Sequence, residues 1–371
     1  MRYSIFHVLV TFLPIALFGC KEPEPVELPF EEQIVELVIE DTLGVAVGDS
    51  CYLLGAIEGL VHAPDSNIVL LDRAFSRVMV YSPEGEFLRQ IGRAGSGPGE
   101  LNLATFMAIS WDGSIYVVQR DAMDRFRYDT GDWIQEQPRT QMPPPFAITG
   151  AMDSTYIGVL LGFSPEEGRL MVDVTVALFG PGPFDPTTVF IQDEFELENP
   201  NDASGLFDSV WMGYGIAVSQ DGIVYIAPRS SDNYVIWGFD RNGEEVFELS
   251  LDMPSVEKSD SEIEEEREFR IAQLSSLGAP GTTYEPDLFR PLITGLGIDA
   301  DGNLWIRRGT EAVPTLDIFS PSGEYQFTAR ITEAGEDGLY WKVIVDPYGL
   351  LAYSENPESG FQQVFMLSME S

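Results

Sequence analysis

The chain has 371 residues, which is enough for two ordinary domains or one large all-β domain. It carries 60 Asp and Glu against 21 Lys and Arg, a formal net charge of −39. Such a surface repels nucleic acid and anionic lipid headgroups, so we expect no nucleic-acid partner. The many aromatic residues, 35 Gly and 25 Pro favour strands and tight turns over helices.

The first 19 residues read as a targeting signal. Arg2 precedes an apolar run from Val8 to Phe18, which is shorter than an ordinary transmembrane helix. The run ends in Leu-Phe-Gly followed by Cys20, which resembles the lipobox of bacterial lipoproteins. That resemblance implies cleavage before Cys20, lipidation of its thiol, and a membrane as partner through the lipid. An ordinary signal peptide with a coincidental cysteine is the alternative.

Residues 20–32, rich in Pro and Glu, fit a tether between the lipid and a folded domain. Lys21 directly after the cysteine resembles a signal for export to the outer membrane. We therefore expect a location in the bacterial cell envelope, facing the periplasm or the exterior.

Once Cys20 is lipidated, Cys51 has no partner for a disulfide, and we expect it to be buried and inert. His62 is the one histidine left after signal removal. It aligns with apolar positions of the repeat described next, which predicts a core or inter-blade role rather than catalysis. This argues against a site built on several histidine ligands.

A unit of four short strands recurs along the chain. An apolar strand, an Asp-Gly-like turn and a second strand appear in MAISWDGSIYVV, IAVSQDGIVYIA and LGIDADGNLWIR, and about twenty residues later a Gly-centred turn follows. Such units predict an all-β, six-bladed β-propeller within residues 33–371. The blades span about 59–92, 105–138, 145–192, 213–251, 293–331 and 340–370. A strand near 33–47 is expected to complete the last blade and close the ring.

The glycine-rich stretch IGRAGSGPGEL, residues 91–101, could cradle a phosphate or only connect two blades. A Walker loop needs Lys-Ser/Thr after its last glycine, and a dinucleotide fingerprint needs a following helix. Here Gly97 is followed by Pro98-Gly99 and then by a predicted strand. We interpret the stretch as an inter-blade turn.

This stretch, with MAISWDGSIYVV and LLDRAFSRVMVY, resembles NHL-repeat propellers. The resemblance implies a fold that mostly binds partners, and an Asp-to-Arg brace carried here by Asp72 and Arg77. Blade two keeps Arg125 but has Gln119 where the family has Asp. The chain also resembles six-bladed propeller lipoproteins of environmental bacteria.

Residues 252–292 interrupt the repeat between blades four and five. They include an acidic helical stretch from about Ser261 to Leu274 with few apolar residues. The insertion is either a surface excursion on the edge of the ring or a lid over one face.

Oxygen ligands for calcium are the one metal chemistry left open. Asp112, Asp221 and Asp301 precede glycines, which is ordinary turn chemistry, and no acidic cluster with ligand spacing is visible. We predict no catalytic residue and no resident metal, with calcium as the alternative cofactor.

Arginines recur at the exit of strand B of several blades, although the chain is acidic. Arg73, Arg120 and Arg229 each lie eight residues after the aligned turn Asp, and Arg307 and Arg308 lie at six and seven. Converging guanidinium groups would recognise carboxylate or phosphate. Local ion pairs with neighbouring acids are the alternative.

Two functions follow. The first is a membrane-anchored binding or scaffolding module for an unknown protein or an anionic small molecule. The second is a calcium-dependent lactonase or hydrolase acting in the central channel.

Overall fold

The computed structural model describes residues 28–119, 122–138, 145–166, 169–182, 184–197, 199, 202–206, 213–357 and 359–370. Its strands form four separate four-stranded sheets and one eight-stranded sheet. Each blade is an antiparallel meander, as expected where short apolar strands are joined by tight turns.

The strands are given blade by blade. Blade one contains β2 (Ile57–His62), β3 (Ile68–Asp72), β4 (Arg77–Tyr81) and β5 (Phe87–Ile91); blade two β6 (Phe106–Ile109), β7 (Ser114–Val118), β8 (Ala122–Arg127) and β9 (Trp133–Pro138); blade three β10 (Phe146–Gly150), β11 (Tyr156–Glu166), β12 (Arg169–Phe179) and β13 (Pro186–Glu196); blade four β14 (Tyr214–Val218), β15 (Val224–Pro228), β16 (Tyr234–Phe239) and β17 (Glu245–Leu251); blade five β18 (Ile293–Ile298), β19 (Leu304–Arg308), β20 (Thr315–Phe319) and β21 (Tyr325–Arg330); and blade six β22 (Trp341–Asp346), β23 (Gly349–Ser354), β24 (Val364–Met369) and β1 (Ile34–Leu43).

The first strand of each blade lies on the inside of a closed ring, next to the first strands of the two neighbouring blades. The described residues thus form a six-bladed β-propeller, which confirms the predicted fold class. Between the blades, the alternate side chains of facing sheets form the core. Val69, Val80, Ile115 and Val117 pack together in this way between blades one and two.

The N-terminal strand closes the ring, as predicted. β1 pairs antiparallel with β24, with Leu37 opposite Met369 and Leu43 opposite Val364. Its first residues also pair parallel with β21. Blades five and six therefore share one sheet, and joining the two ends of the chain in this way removes an exposed sheet edge.

Helices are few in the described ranges. α1 (Ser204–Leu206) is a single turn, and α2 (Asp260–Ser276) lies within the predicted insertion. α2 begins at Ser259, whose hydroxyl accepts from the amide of Glu262 while the Glu262 carboxylate accepts from the amide of Ser259. This reciprocal cap explains why a weakly amphipathic acidic stretch starts a helix here. A 3-10 segment, Thr332–Tyr340, connects blades five and six.

The glycine-rich loop joins β5 to β6. The Glu100 carboxylate accepts from the amides of Ser96 and Gly97 at 3.1 and 3.0 Å and also contacts Arg93. The hydrogen bond from Gly97, followed by that from Arg93, lowers the pKa of Glu100. The loop amides that could face a phosphate therefore already bind a carboxylate of the same loop.

The brace of blade one has the expected form. Arg77 Nη2 lies 3.2 Å from Asp72 Oδ2, and Asp72 is fully buried. The prediction for blade two was wrong about the arginine. Gln119 donates to Asp124, the residue that takes the place of Arg77, while Arg125 donates to Ser114 on the neighbouring strand. Arg125 is one position too late for the brace, so its side chain points elsewhere.

Cys51 is a free thiol that is partly exposed rather than buried, contrary to expectation. It sits in the turn before blade one, where local desolvation and then Asp49 raise the pKa of its thiol. The thiol therefore stays protonated at neutral pH, which favours an inert role.

Candidate functional site at the two ends of the central channel

The helix α2 covers one end of the channel. Its Glu266 Oε1 lies 3.8 Å from Arg229 Nη2 of blade four, and its Ser276 Oγ lies 3.4 Å from Arg73 Nη2 of blade one. Blades one and four are opposite in a six-bladed ring, so a helix that contacts both crosses the channel mouth. The geometry favours the lid over the surface excursion. We call this end the capped end.

Two buried side chains hold the lid in place. Leu274 packs with Ala203 and Tyr284, and Arg270 is 6% exposed. Phe269 meets the ring of Tyr340 edge to face at a centroid distance of 5.0 Å. These contacts tie α2 to the connections on either side of blades four and five.

Cations gather beneath and around this helix. We define the capped-end cluster as twelve ionisable side chains that line the cavity under α2 or lie around it. Its members among the described residues are the cations Arg73, Arg229, Lys258, Arg270, Arg290, Arg307 and Lys342 and the carboxylates Glu58, Glu262, Glu265, Glu266 and Glu355. Seven cations thus lie close together in a chain of charge −39, with these five carboxylates among them and Glu311 acting on Arg307 from outside the cluster.

Some of these charges are tightly paired. Arg73 Nε lies 2.7 Å from Glu58 Oε1, and Lys258 Nζ lies 2.6 Å from Glu266 Oε2. Burial raises the pKa of Glu266, but the hydrogen bond and charge of Lys258, with Arg229 and Arg270, outweigh it and lower the pKa overall. Glu266 is therefore ionised at neutral pH.

Lys342 is held more loosely. The Oε2 atom of Glu355 lies 3.8 Å from both Lys342 Nζ and Arg270 Nη1, which is too long for a hydrogen bond. The charge of Glu355 raises the pKa of Lys342, but burial and the charges of Arg270, Arg229 and Arg307 together lower it. The Lys342 side chain is 34% exposed. Repulsion between cations is thus incompletely compensated here.

A small cavity of about 90 Å³ lies under α2. Arg229, Lys258, Arg270, Arg290 and Thr294 contribute to its lining. Its volume corresponds to about three water molecules, enough for a small anion.

The structure brings some of the predicted arginines together and separates others. Arg73, Arg229 and Arg307 belong to the capped-end cluster, whereas Arg120 lies outside the described residues. The Arg307 guanidinium donates to the carbonyl of Gly338 at 3.1 Å, and burial lowers the pKa of Arg307 to about 10.

Arg308 lies in a different environment. Its guanidinium binds both oxygens of Asp317 at 2.6 Å, and it also contacts Glu311 at 2.7 Å and Glu32 at 2.9 Å. The side chain is 1% exposed. Arg308 therefore braces blade five, with Arg on the second strand and Asp on the third, the reverse of the blade-one order.

Sequence analysis did not find Lys258, Arg270 and Lys342. One signal was available, because Lys258 and Lys342 are two of the three lysines in the chain. The sequence does not predict that these three side chains lie close together, because Lys258 and Arg270 belong to the insertion and Lys342 lies in the first strand of blade six.

The other end of the channel is open. A cavity of about 320 Å³ is lined by residues from all six inner strands and reaches the turns that follow them. Trp111 and Tyr348 stand at this end, 40% and 45% exposed. The volume lies at the lower end of the range of small-molecule sites.

His62 lies at this open end and links blade one to blade six. Its Nδ1 atom lies 2.9 Å from both carboxylate oxygens of Asp346, and its backbone amide donates to Asp346 at 3.1 Å. The histidine thus occupies the inter-blade position expected from the repeat.

The described part of the chain contains no candidate metal-binding site. No three His, Cys, Asp or Glu side chains there are placed to hold a metal ion together. Asp112 and Asp221 instead accept hydrogen bonds from serines within or beside their turns. The calcium-dependent alternative therefore has no ligand set among these residues.

No helix in the described part of the chain combines the length and apolar character needed to cross a membrane.

Comparison with known proteins agrees with the observed fold. Residues 48–145 match a family model described as a 6-bladed beta-propeller. No curated protein matches the sequence closely enough to count as a relative.

Three solved structures match the chain over most of its length at low sequence identity. A protein from Bacteroides fragilis described as exported is 13% identical with a TM-score of 0.47, over 91% of this chain and all of its own. A member of the DUF4221 family from Bacteroides vulgatus is 11% identical with a TM-score of 0.49, over 92% of this chain and all of its own. The streptogramin B lyase is 9% identical with a TM-score of 0.45, over 90% of this chain and 98% of its own.

Proposed function

We propose that this chain is a membrane-anchored propeller of the bacterial cell envelope that binds a small anion at the capped end of its channel. The observation that carries the proposal is the concentration of cations under α2 in a strongly acidic protein, where they lower the pKa of Lys342. A binding role uses only the positive charge and the hydrogen-bond donors that this site offers.

Electrostatics limits where such a ligand can bind. The overall charge repels anions at long range, so binding requires a local field that dominates within a Debye length of about 8 Å. The capped-end cluster supplies that field. An anion near Lys342 would relieve the repulsion that lowers its pKa, and each charge-assisted hydrogen bond contributes about 1.5–3 kcal/mol. Three such bonds support an affinity of about 1 mM after the cost of association.

The lipid anchor rests on Cys20, which lies outside the described residues. The described chain starts at the outer edge of blade five, where Phe30 stacks on Tyr325 at 4.0 Å and Glu32 lies 3.4 Å from Arg330. Eight residues from Cys20 to Leu28 reach at most about 28 Å. A lipidated chain is therefore held close to the membrane with blade five nearest, and we place it at the outer membrane.

The anion site can be tested by thermal unfolding of the full chain with acetate or phosphate, against chloride at equal ionic strength. We expect a concentration-dependent rise of the unfolding midpoint. Lys342→Gln should weaken the apparent affinity at least about tenfold, because it removes one charge-assisted contact. Lys342→Arg keeps the charge and should retain binding.

Arg93→Gln is the matched control, since Arg93 is 76% exposed in the loop between blades one and two and the change removes the same charge. The midpoint of unliganded Lys342→Gln should be equal to or above that of the native protein, because a lysine whose pKa is lowered by folding destabilises the fold while charged. If acetate or phosphate raises the unfolding midpoint of Lys342→Gln as much as that of Arg93→Gln, the proposed anion site is wrong.

A further inference from the structure

The cavity under α2 is lined by charges of both signs. Its lining cations among the described residues are Arg229, Lys258, Arg270 and Arg290. Its lining carboxylates among the described residues are Glu262, Glu265 and Glu266. All three carboxylates belong to α2, at the spacing that places side chains on one face of a helix. The helix itself therefore supplies the negative charge that offsets the cations of this cavity.

Two of the helix carboxylates bind these cations directly. Glu266 Oε2 lies 2.6 Å from Lys258 Nζ, and Glu266 Oε1 lies 3.8 Å from Arg229 Nη2. Glu262 Oε1 lies 2.5 Å from Arg290 Nη2. A small anion in the cavity would seek the same donors, so the anion and the two carboxylates compete for them.

Two of the cations lie on a short stem at the base of the insertion. The amide of Lys258 donates to the carbonyl of Leu288 at 2.9 Å, and the amide of Arg290 donates to the carbonyl of Val256 at 2.8 Å. The Arg290 guanidinium also donates to the carbonyl of Thr310 at 2.6 Å, in the loop after β19. The stem thus fixes these two cations by backbone contacts that do not involve α2.

The apolar contacts of α2 lie at the middle and in the C-terminal half of the helix. Phe269 meets Tyr340 edge to face, and Leu274 packs with Ala203 and Tyr284. Burial of these side chains does not depend on charge, whereas an ion pair is lost when another anion satisfies the cation. An anion that displaces the carboxylates therefore releases the N-terminal half first, while Leu274 keeps the other half in place.

We infer that α2 is a built-in competitor of the anion, and that a bound anion replaces Glu266 at Lys258 and Arg229 and releases the N-terminal half of the helix. This inference rests on the proposed anion site and concerns its regulation. Glu266 also accepts a hydrogen bond from the Tyr284 hydroxyl at 3.1 Å, so its displacement costs free energy. The apparent affinity for the anion is therefore lower than that of the same cations with the helix displaced.

Titration of the full chain with acetate tests the competition. Glu266→Gln removes the competing charge, so the apparent dissociation constant of acetate should fall at least about tenfold, as expected for one charge-assisted hydrogen bond. The constant is taken from the rise of the unfolding midpoint against chloride at equal ionic strength. The midpoint of unliganded Glu266→Gln should fall at the same time. A carboxylate with a purely structural role would lower the midpoint without strengthening the binding of acetate.

Glu268→Gln is the matched control, because it removes the same charge from an exposed position of the same helix. It should leave the apparent dissociation constant of acetate within about twofold of the native value, since an exposed charge is screened by salt.

Hydrogen–deuterium exchange of the native chain measures the helix itself. With saturating acetate, the amides of residues 262–268 should exchange severalfold faster than in chloride at equal ionic strength. The amides of β19 (Leu304–Arg308) should keep their protection, because the blades stay folded. This measurement decides the inference even where Glu266→Gln fails to fold.

The outcomes separate the two proposals. If acetate slows exchange in α2, the helix closes over the anion instead of competing with it, and the inference is wrong. If acetate binds the native chain, Glu266→Gln and Glu268→Gln equally well, the competition is wrong and the anion site stands. If acetate stabilises neither the native chain nor Glu266→Gln more than chloride does, both proposals are wrong.

Discussion

The brace in blade five allows a quantitative test of how the structure uses Arg308. Both guanidinium contacts to Asp317 measure 2.6 Å, and Arg308 and Asp317 are 1% and 0% exposed. Removing one member of a buried ion pair costs about 3–5 kcal/mol, because the other charge stays in a poorly solvated place. We expect Arg308→Gln to lower the free energy of unfolding by about 4 kcal/mol. The loss is not at the upper limit, because Thr328 still donates a hydrogen bond to Asp317 at 2.9 Å.

Urea unfolding followed by tryptophan fluorescence and far-ultraviolet circular dichroism measures this loss. Arg330→Gln is the matched control. Arg330 is 27% exposed and lies 3.4 Å from Glu32 and Glu311, two acids that Arg308 also contacts, so it should cost less than about 1 kcal/mol. The double change Arg308→Met with Asp317→Leu should cost less than the sum of its parts, since neither charge remains buried.

Refutation would take a specific form. If Arg308→Gln costs no more than Arg330→Gln and also weakens stabilisation by acetate, Arg308 contacts the ligand and the assignment as a brace is wrong.

Three further predictions concern the anchor, the ring closure and the lid. Cys20→Ser should release the protein from the membrane fraction, because one cysteine carries the proposed lipid. His62→Ala should lower the free energy of unfolding by about 1.5–3 kcal/mol in urea, since it removes a hydrogen bond to the Asp346 carboxylate. Glu266→Gln should destabilise the protein at pH 7 and much less near pH 3. The pKa of Glu266 is lowered on folding, so its contribution is present above its unfolded pKa of about 4.5 and is lost as the pH falls further.

Each of these has an outcome that contradicts it. A Cys20→Ser protein that still sediments with membranes after a carbonate wash excludes the lipid anchor. Unchanged stability of His62→Ala would mean that the contact between blades one and six is dispensable. A Glu266→Gln effect that is constant from pH 7 to pH 3 would show that folding does not lower the pKa of this carboxylate.

The sequence alone determined the fold. Strands of alternating polarity separated by Asp-Gly and Gly-centred turns repeat along the chain, and each pattern is local, so the blades can be read without knowing how they assemble. The strand near 33–47 was recognisable as a ring-closing strand because it lies outside the repeat, and β1 (Ile34–Leu43) fills that role. The resemblance to NHL-repeat propellers also implied the Asp72–Arg77 brace, and these two residues lie opposite each other on paired strands.

Only the tertiary structure decided the candidate site. Lys258, Arg270 and Lys342 come from an insertion and from blade six, and their approach to Arg73 and Arg229 depends on how the ring closes and how α2 crosses it. The same holds for Arg308. Its position in the repeat predicts a side chain that faces a ligand, but in the structure the guanidinium binds Asp317 inside blade five. Distances across strands and blades decide which carboxylate an arginine binds. These distances cannot be predicted from the spacing of residues along the chain.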